Sequence, residues 1–391
     1  MGEGIGQARF CRPAEGGSAA PIIGAMLWDL FCRVIDNFGD AGVCWRLAAE
    51  LAGRGQAVRL WIDDATPLAW LAPAGAPAVQ VLAWTDPAPD LPPGDVVIEA
   101  FGCTLPDCFV AGMAARSARS ATRGSAPVWI NLEHLSAETY VERSHGLPSP
   151  QFSGPGAGLQ KWFFFPGFTG ATGGLLQAGA GVAELAATAS AQAWAQARGW
   201  AGRPGERVVT LFCYANPALP ALLAELANRP TLLRVPPGPV RAQLAGLALP
   251  TGLRAVELPC LPQADFDRLL ASADLNIVRG EDSFVRAQLC SRQPMLWQAY
   301  PQHDQAHLAK LEAFLARYLA GWPAALAAAT RRAFLGFNQA IGGDFTLPDA
   351  QPWAAGHARW RQRLLAQPSL CDQLQTFVAA KQSPQASPKP G

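Results

Sequence analysis

The chain has 391 residues, of which 50% are hydrophobic and 16% charged, with 31 Lys and Arg against 30 Asp and Glu. A sequence this long and apolar can bury more than one core, which excludes a single small module and a largely disordered chain. Its near-neutral balance excludes a global field that would recruit nucleic acid or an anionic membrane.

Residues 1–25 are rich in Gly, Ala and Pro without periodicity, and are expected to form a disordered extension ahead of Met26. Apolar runs then predict strands at Leu27–Ile35, Val58–Ile62, Val79–Ala83, Val96–Ala100 and Val128–Leu132, with helices at Gly42–Ala52 and Pro106–Ala118. Residues Ser136–Gly181 are aromatic and rich in Gly and Pro, too long for an ordinary connection and therefore a functional loop. Trp162–Phe165 within it reads as a buried strand rather than a nucleic-acid stacking platform. A second series of strands is predicted at Val208–Tyr214, Thr231–Val235, Arg254–Leu258, Leu275–Val278 and Met295–Gln298. Helices are predicted at Pro217–Ala227, Ala264–Ala273, Ser283–Cys290 and His303–Tyr318, and again over Ala324–Phe334 and Ala354–Lys381.

Two β–α series of five strands each indicate an α/β chain with two Rossmann-like domains. The expected boundaries are 26–195 for the first domain and 205–365 for the second, with polar Gln192–Gly205 as hinge. Residues 366–381 would form a final helix able to return to the first domain, and 382–391 a disordered tail. Nine scattered cysteines without a CxxC pair read as reduced thiols. The run Ile22–Phe31 is interrupted by Asp29 and too short to cross a bilayer, and no signal peptide precedes it. The expectation is a cytoplasmic protein without a membrane or nucleic-acid partner.

Two segments carry chemistry. Val34–Arg46 (VIDNFGDAGVCWR) lies where the first strand ends and the first helix begins. Ligands of open α/β sheets bind beyond the carboxyl ends of strands, so Asp36 and Asp40 belong to the functional edge, although turn and N-cap roles fit them equally. Asn276–Arg286 (NIVRGEDSFVR) repeats the strand, Gly turn and helix, with Arg279 adding a full charge suited to a diphosphate. Glu281 and Asp282 would repel phosphate and fit ribose hydroxyls or nearby cations better; capping by Asp282 or Ser283 is the plainer alternative. His303 and His307 stand at i and i+4 without a third metal ligand, and GxGxG at Gly154–Gly158 neither follows a clear strand nor opens a helix. Carboxylates facing a cleft, with an anion site on the second domain, fit a nucleotide-sugar transferase of the GT-B type and other nucleotide enzymes.

Several motifs in one order are more specific. VIDNFGDAGVCWRLA, IEAFGC at Ile98–Cys103, NLEHLSAE and LPSPQ within Asn131–Gln151, KWFFFPGFT and TGGLL within Lys161–Leu176, LFCYANPALP at Leu211–Pro220, and LPQADFDRLL and RGEDSFVRAQ ending at Gln288 together resemble the EarP family of protein-arginine rhamnosyltransferases. The resemblance implies a GT-B fold, TDP-β-L-rhamnose as donor, and an arginine of translation elongation factor P as acceptor. It implies inverting chemistry without a metal or other cofactor, and activation of that factor for rescue of ribosomes stalled at polyproline. Residue by residue, it implies Asp40 as the catalytic carboxylate with Asp36 in support, and Phe212, Tyr214, Gln263, Arg279, Glu281, Asp282 and Ser283 as donor-site residues. Glu281 is also a catalytic candidate, able to polarise the acceptor. Cys260 stands where the family pattern implies an aromatic residue near the base. A GT-B enzyme with another sugar or acceptor, and a non-catalytic module binding the elongation factor, are the alternatives.

Overall fold

A computed structural model of the chain describes residues 25–35, 38–123, 126–177, 189–301, 306–339 and 345–382. The first domain holds β1 (Leu27–Cys32), β2 (Ala57–Ile62), β3 (Val79–Ala83), β4 (Val96–Ala100), β5 (Val128–Leu132), β6 (Pro148–Pro150) and β7 (Gln160–Phe164). They form one sheet in the order β3-β2-β1-β4-β5-β7-β6, parallel except for β6 against β7. The second domain holds β8 (Arg207–Leu211), β9 (Thr231–Val235), β10 (Leu253–Glu257), β11 (Leu275–Arg279) and β12 (Met295–Gln298), all parallel in the order β10-β9-β8-β11-β12.

Parallel strands are covered by helices on both faces, so they read as continuous apolar runs. β4, β5 and β9 are buried along their whole length. Asp29 on β1 is the conspicuous charge, fully buried opposite Arg59 of β2. Arg59 donates to it from Nε at 2.6 Å and Nη2 at 2.7 Å, and the Trp61 indole and the Gly94 amide supply further donors. A buried carboxylate so fully hydrogen-bonded is tolerated where a bare one would not be.

Three features differ from expectation. Besides the strand expected around Trp162–Phe165, which is β7, the aromatic loop contributes β6, and its Ala137, Phe168 and Leu175 pack into the second domain's core, joining the two lobes. Helix Ala189–Ala197 belongs to the second domain rather than to the first, because Trp194, followed by Trp200, packs with Leu258, Leu261 and Leu269. The expected boundary at residue 195 therefore falls inside the second domain. The helical pattern over Ala354–Lys381 is two helices, Ala350–Leu365 and Leu370–Gln382, separated around Pro368, which has no N–H to continue the ladder. The first packs on the second domain through Trp353, Trp360 and Leu364; the last buries Leu370, Leu374 and Val378 in the first domain's core. Residues 1–24 and 383–391, expected to be disordered, lie outside the described residues. No helix among the described residues is long and apolar enough to cross a membrane.

In both sheets the order reverses beside the first strand of the domain, at β1/β4 and β8/β11. Crevices beyond the carboxyl ends of such strand pairs are where open α/β sheets bind ligands. Residues 33–35 and 38–40, Phe101, Phe212–Tyr214 and Gly280–Ser283 follow these strands, and Arg279 is the last residue of β11.

Candidate active site

Two cavities meet in the cleft. The first is lined by Phe212, Tyr214, Gln263, Arg279 and Ser283 with Phe38 and Trp70 from the first domain; the second by Asp40, Phe101, His134 and Tyr300. Gly39, Gly280 and Glu281 line both, so the cavities adjoin at that point.

Arg279 ends β11 with its guanidinium over the rings of Phe212 at 4.6 Å and Tyr214 at 4.7 Å. The Tyr214 amide donates to Gln298 Oε1 at 2.8 Å, fixing the residue that carries one of the rings. Arg279 Nη1 is buried without a hydrogen-bond partner among the described residues. A guanidinium that lines a cavity with one of its donors unpaired is chemically suited to an anionic ligand oxygen. Gly280 then takes φ +59, a left-handed turn that glycine adopts without a Cβ clash, and the Trp297 indole donates to its carbonyl at 3.0 Å.

Asp40 lies in the first turn of helix Gly39–Gly53 and is 8% exposed. It is not the N-cap, which is Phe38; its Oδ2 reaches back to accept the Ile35 amide at 3.0 Å. Glu281 crosses to the first domain, where its Oε2 accepts the Leu135 amide at 3.2 Å and meets His134 Nδ1 at 3.3 Å. Asp36 and His303 lie outside the described residues.

Three expected donor contacts have their polar groups engaged within the protein. The Gln263 amide donates to the Gly42 carbonyl at 2.8 Å, tying the domains together. A Cβ at Gly42 would stand 3.3 Å from Gln263 Nε2, so glycine permits this close approach. Ser283 Oγ accepts the Arg279 amide at 3.1 Å and donates to the Arg279 carbonyl, closing its own turn. Asp282 pairs with Arg46 Nε at 2.9 Å, an ion pair poorly aligned for a hydrogen bond. Burial raises the Asp282 pKa, and Arg46 and Arg286 only partly offset it. These three residues shape the first cavity's wall while holding the protein's own groups.

Sequence reading missed the buried ion cluster behind that wall. Arg46 from the first domain donates to both oxygens of Asp267, each at 3.0 Å, and Arg286 donates to the same two oxygens at 3.0 and 2.9 Å. Burial would raise the Asp267 pKa, but the two guanidinium groups outweigh it and hold it below the usual carboxylate range. Arg286 also donates to the Gln177 carbonyl at 2.8 Å. Arg46 and Arg286 sit inside the two conspicuous motifs, yet Asp267 lies 221 residues from Arg46, and no local pattern pairs them. His134 was likewise unassigned. Cys260 is exposed on the first cavity, where Phe38 and Trp70 supply aromatic surface, edge to face at 5.0 Å.

A family profile described as Elongation-Factor P (EF-P) rhamnosyltransferase EarP matches residues 28–379. A protein-arginine rhamnosyltransferase of Pseudomonas aeruginosa is 43% identical over 387 residues, covering 90% of this chain and 98% of the relative. One from Neisseria meningitidis serogroup B is 34% identical over 389 residues, covering 90% and 97%. A solved structure described as the structural basis for EarP-mediated arginine glycosylation of translation elongation factor EF-P is 32% identical, with a TM-score of 0.59 over 91% of this chain and 99% of that one. The paired parallel sheets with a cleft between them are the GT-B arrangement, and the chain belongs to the EarP family of rhamnosyltransferases.

Proposed function

We propose that this chain transfers L-rhamnose from TDP-β-L-rhamnose to an arginine side chain of translation elongation factor P, with inversion and without a metal. The observation that carries this reading is the junction of the two cavities. An unsatisfied guanidinium on the first adjoins the carboxylate of Asp40 on the second, with Glu281 at the seam that both cavities share. One side suits a diphosphate, the other a cationic acceptor.

The acceptor is a difficult nucleophile. Its lone pair is delocalised, and removing a guanidinium proton outright at pH 7 costs about 8 kcal/mol, some six pKa units at about 1.4 each. A carboxylate is too weak a base to take that proton first. Asp40 instead orients one acceptor nitrogen towards the anomeric carbon by a charge-assisted hydrogen bond. As the N–C bond forms, the bond from the anomeric carbon to the phosphate oxygen breaks and the nitrogen becomes acidic. Its proton then passes to Asp40 and on to solvent. Attack opposite the leaving TDP converts the β donor into an α-rhamnosyl arginine.

Arg279 supplies charge to the departing diphosphate, assisted by the amino end of helix Asp282–Cys290. Arg279→Ala should weaken TDP binding by about 10- to 100-fold, the loss of one charge-assisted hydrogen bond. Calorimetry with TDP alone measures it, and unchanged affinity removes Arg279 from the phosphate site.

The function itself is tested by mass. Purified elongation factor P incubated with the enzyme and TDP-rhamnose should gain one deoxyhexose on an arginine. A different increment with another nucleotide sugar points to changed donor specificity, and stable binding without any increment to a non-catalytic module.

A further inference from the structure

The carboxylate of Glu281 is gripped by the domain opposite its own. The Leu135 amide and His134 Nδ1, both on the connection after β5, converge on its Oε2. Glu281 follows β11, so the grip exists only while the lobes stand at this separation. Among the described residues, its hydrogen bonds run through Oε2, which leaves Oε1 to meet a ligand.

The His134 ring is held in turn. It lies face to face on Phe101, 4.5 Å between centroids and 12° between planes. Phe101 adopts φ +58 at the carboxyl end of β4, with its amide bonded to the Leu132 carbonyl at 2.7 Å. A bulky side chain in the left-handed region is disfavoured, and such strain persists where surrounding structure over-determines it, commonly at functional sites. Here the strained backbone presents an aromatic shelf to the cleft.

We propose that His134, seated on Phe101, is a positioning residue that holds Glu281 Oε2 so that Oε1 faces the donor sugar, making assembly of the site dependent on closure of the cleft. The proposal rests on the rhamnosyltransferase reading with Glu281 on the donor side. The charged groups around His134 are Glu281 from the second domain, Asp40 from helix Gly39–Gly53 and Lys310 from helix Ala306–Tyr318, which also brings His307 to the same cavity. Partial burial depresses the His134 pKa and Lys310 opposes protonation, but Glu281 and Asp40 outweigh both and raise it above the usual 6.5. A raised histidine pKa means that the charged pair is intact at low pH and is lost as the pH climbs through the raised value.

The test is kcat/KM for TDP-rhamnose at saturating elongation factor P, using the full chain as wild type, H134A and H134Q between about pH 6 and 9. H134A should fall about tenfold while its affinity for TDP alone stays at the wild-type level, since His134 acts through the group facing the sugar. H134Q keeps an uncharged donor and should recover most of the activity, and the ratio of wild type to H134Q should decline as pH rises. Wild-type kcat/KM in H134A, or a ratio that is flat across this range, overturns the role of His134. A wild type that adds no deoxyhexose overturns the rhamnosyltransferase reading, and this inference with it.

Discussion

Asp40→Asn should lower transfer to elongation factor P by roughly 10²- to 10⁴-fold, the usual contribution of a positioned acid–base group. The substitution is close to isosteric. An amide oxygen still accepts the Ile35 N–H, so the entry to helix Gly39–Gly53 keeps its geometry. What disappears is the negative charge, and with it both the strong hydrogen bond that aims a guanidinium nitrogen and the place for its proton. At 8% exposure Asp40 is largely shielded from water, which strengthens its interaction with a cation. TDP-rhamnose affinity should stay within a few-fold of wild type, because Asp40 lines the second cavity and Arg279 the first. Single-turnover kinetics with a parallel binding measurement separates the two effects. Near-normal turnover in Asp40→Asn would remove the residue from the chemistry.

Arg46→Met should destabilise the fold by about 3–5 kcal/mol, the cost of leaving buried charge uncompensated. Arg46 and Arg286 balance Asp267 and Asp282, and all four lie at the wall between the lobes. Without Arg46, Asp267 keeps one guanidinium, whereas Asp282 loses the cation nearest its carboxylate. Arg46→Lys should fall between the two proteins, because an ammonium restores charge without the planar fork that engages both Asp267 oxygens. The sign of the pH dependence follows from the carboxylates. The depressed Asp267 pKa means that its stabilisation is present above the ordinary carboxylate range and lost as pH falls through the lower folded value. Asp282 is displaced upward and sheds its charge sooner on acidification. The deficit of Arg46→Met should therefore shrink as the pH drops from neutral to below about 4. Denaturant titration at several pH values measures it; a variant as stable as wild type at pH 7 would show that the cluster contributes no net stability.

The same residues mark the boundary between local and tertiary information. β3, β4, β5, β9 and β12 have the bounds expected from their apolar runs, because strands sandwiched between helices need apolar side chains on both faces. The strand–turn–helix motifs at Asp40 and Arg279 were legible for a related reason: a Gly turn at the carboxyl end of a parallel strand is a local feature, and the α/β topology makes that edge the binding edge. The allegiance of helix Ala189–Ala197 was not legible, since its small residues carry no address and Trp194 finds its neighbours only in the folded second domain. Nor was the fate of Gln263, Asp282 and Ser283, whose residue types suit a ligand but whose polar groups are engaged by Gly42, Arg46 and the Arg279 backbone. Periodicity along the chain determined most of the strands, the two lobes and the sheet edge at which open α/β folds bind ligands. The pairings Arg46–Asp267 and His134–Glu281 join segments far apart in sequence, and only the docking of one lobe on the other brought their charges within reach.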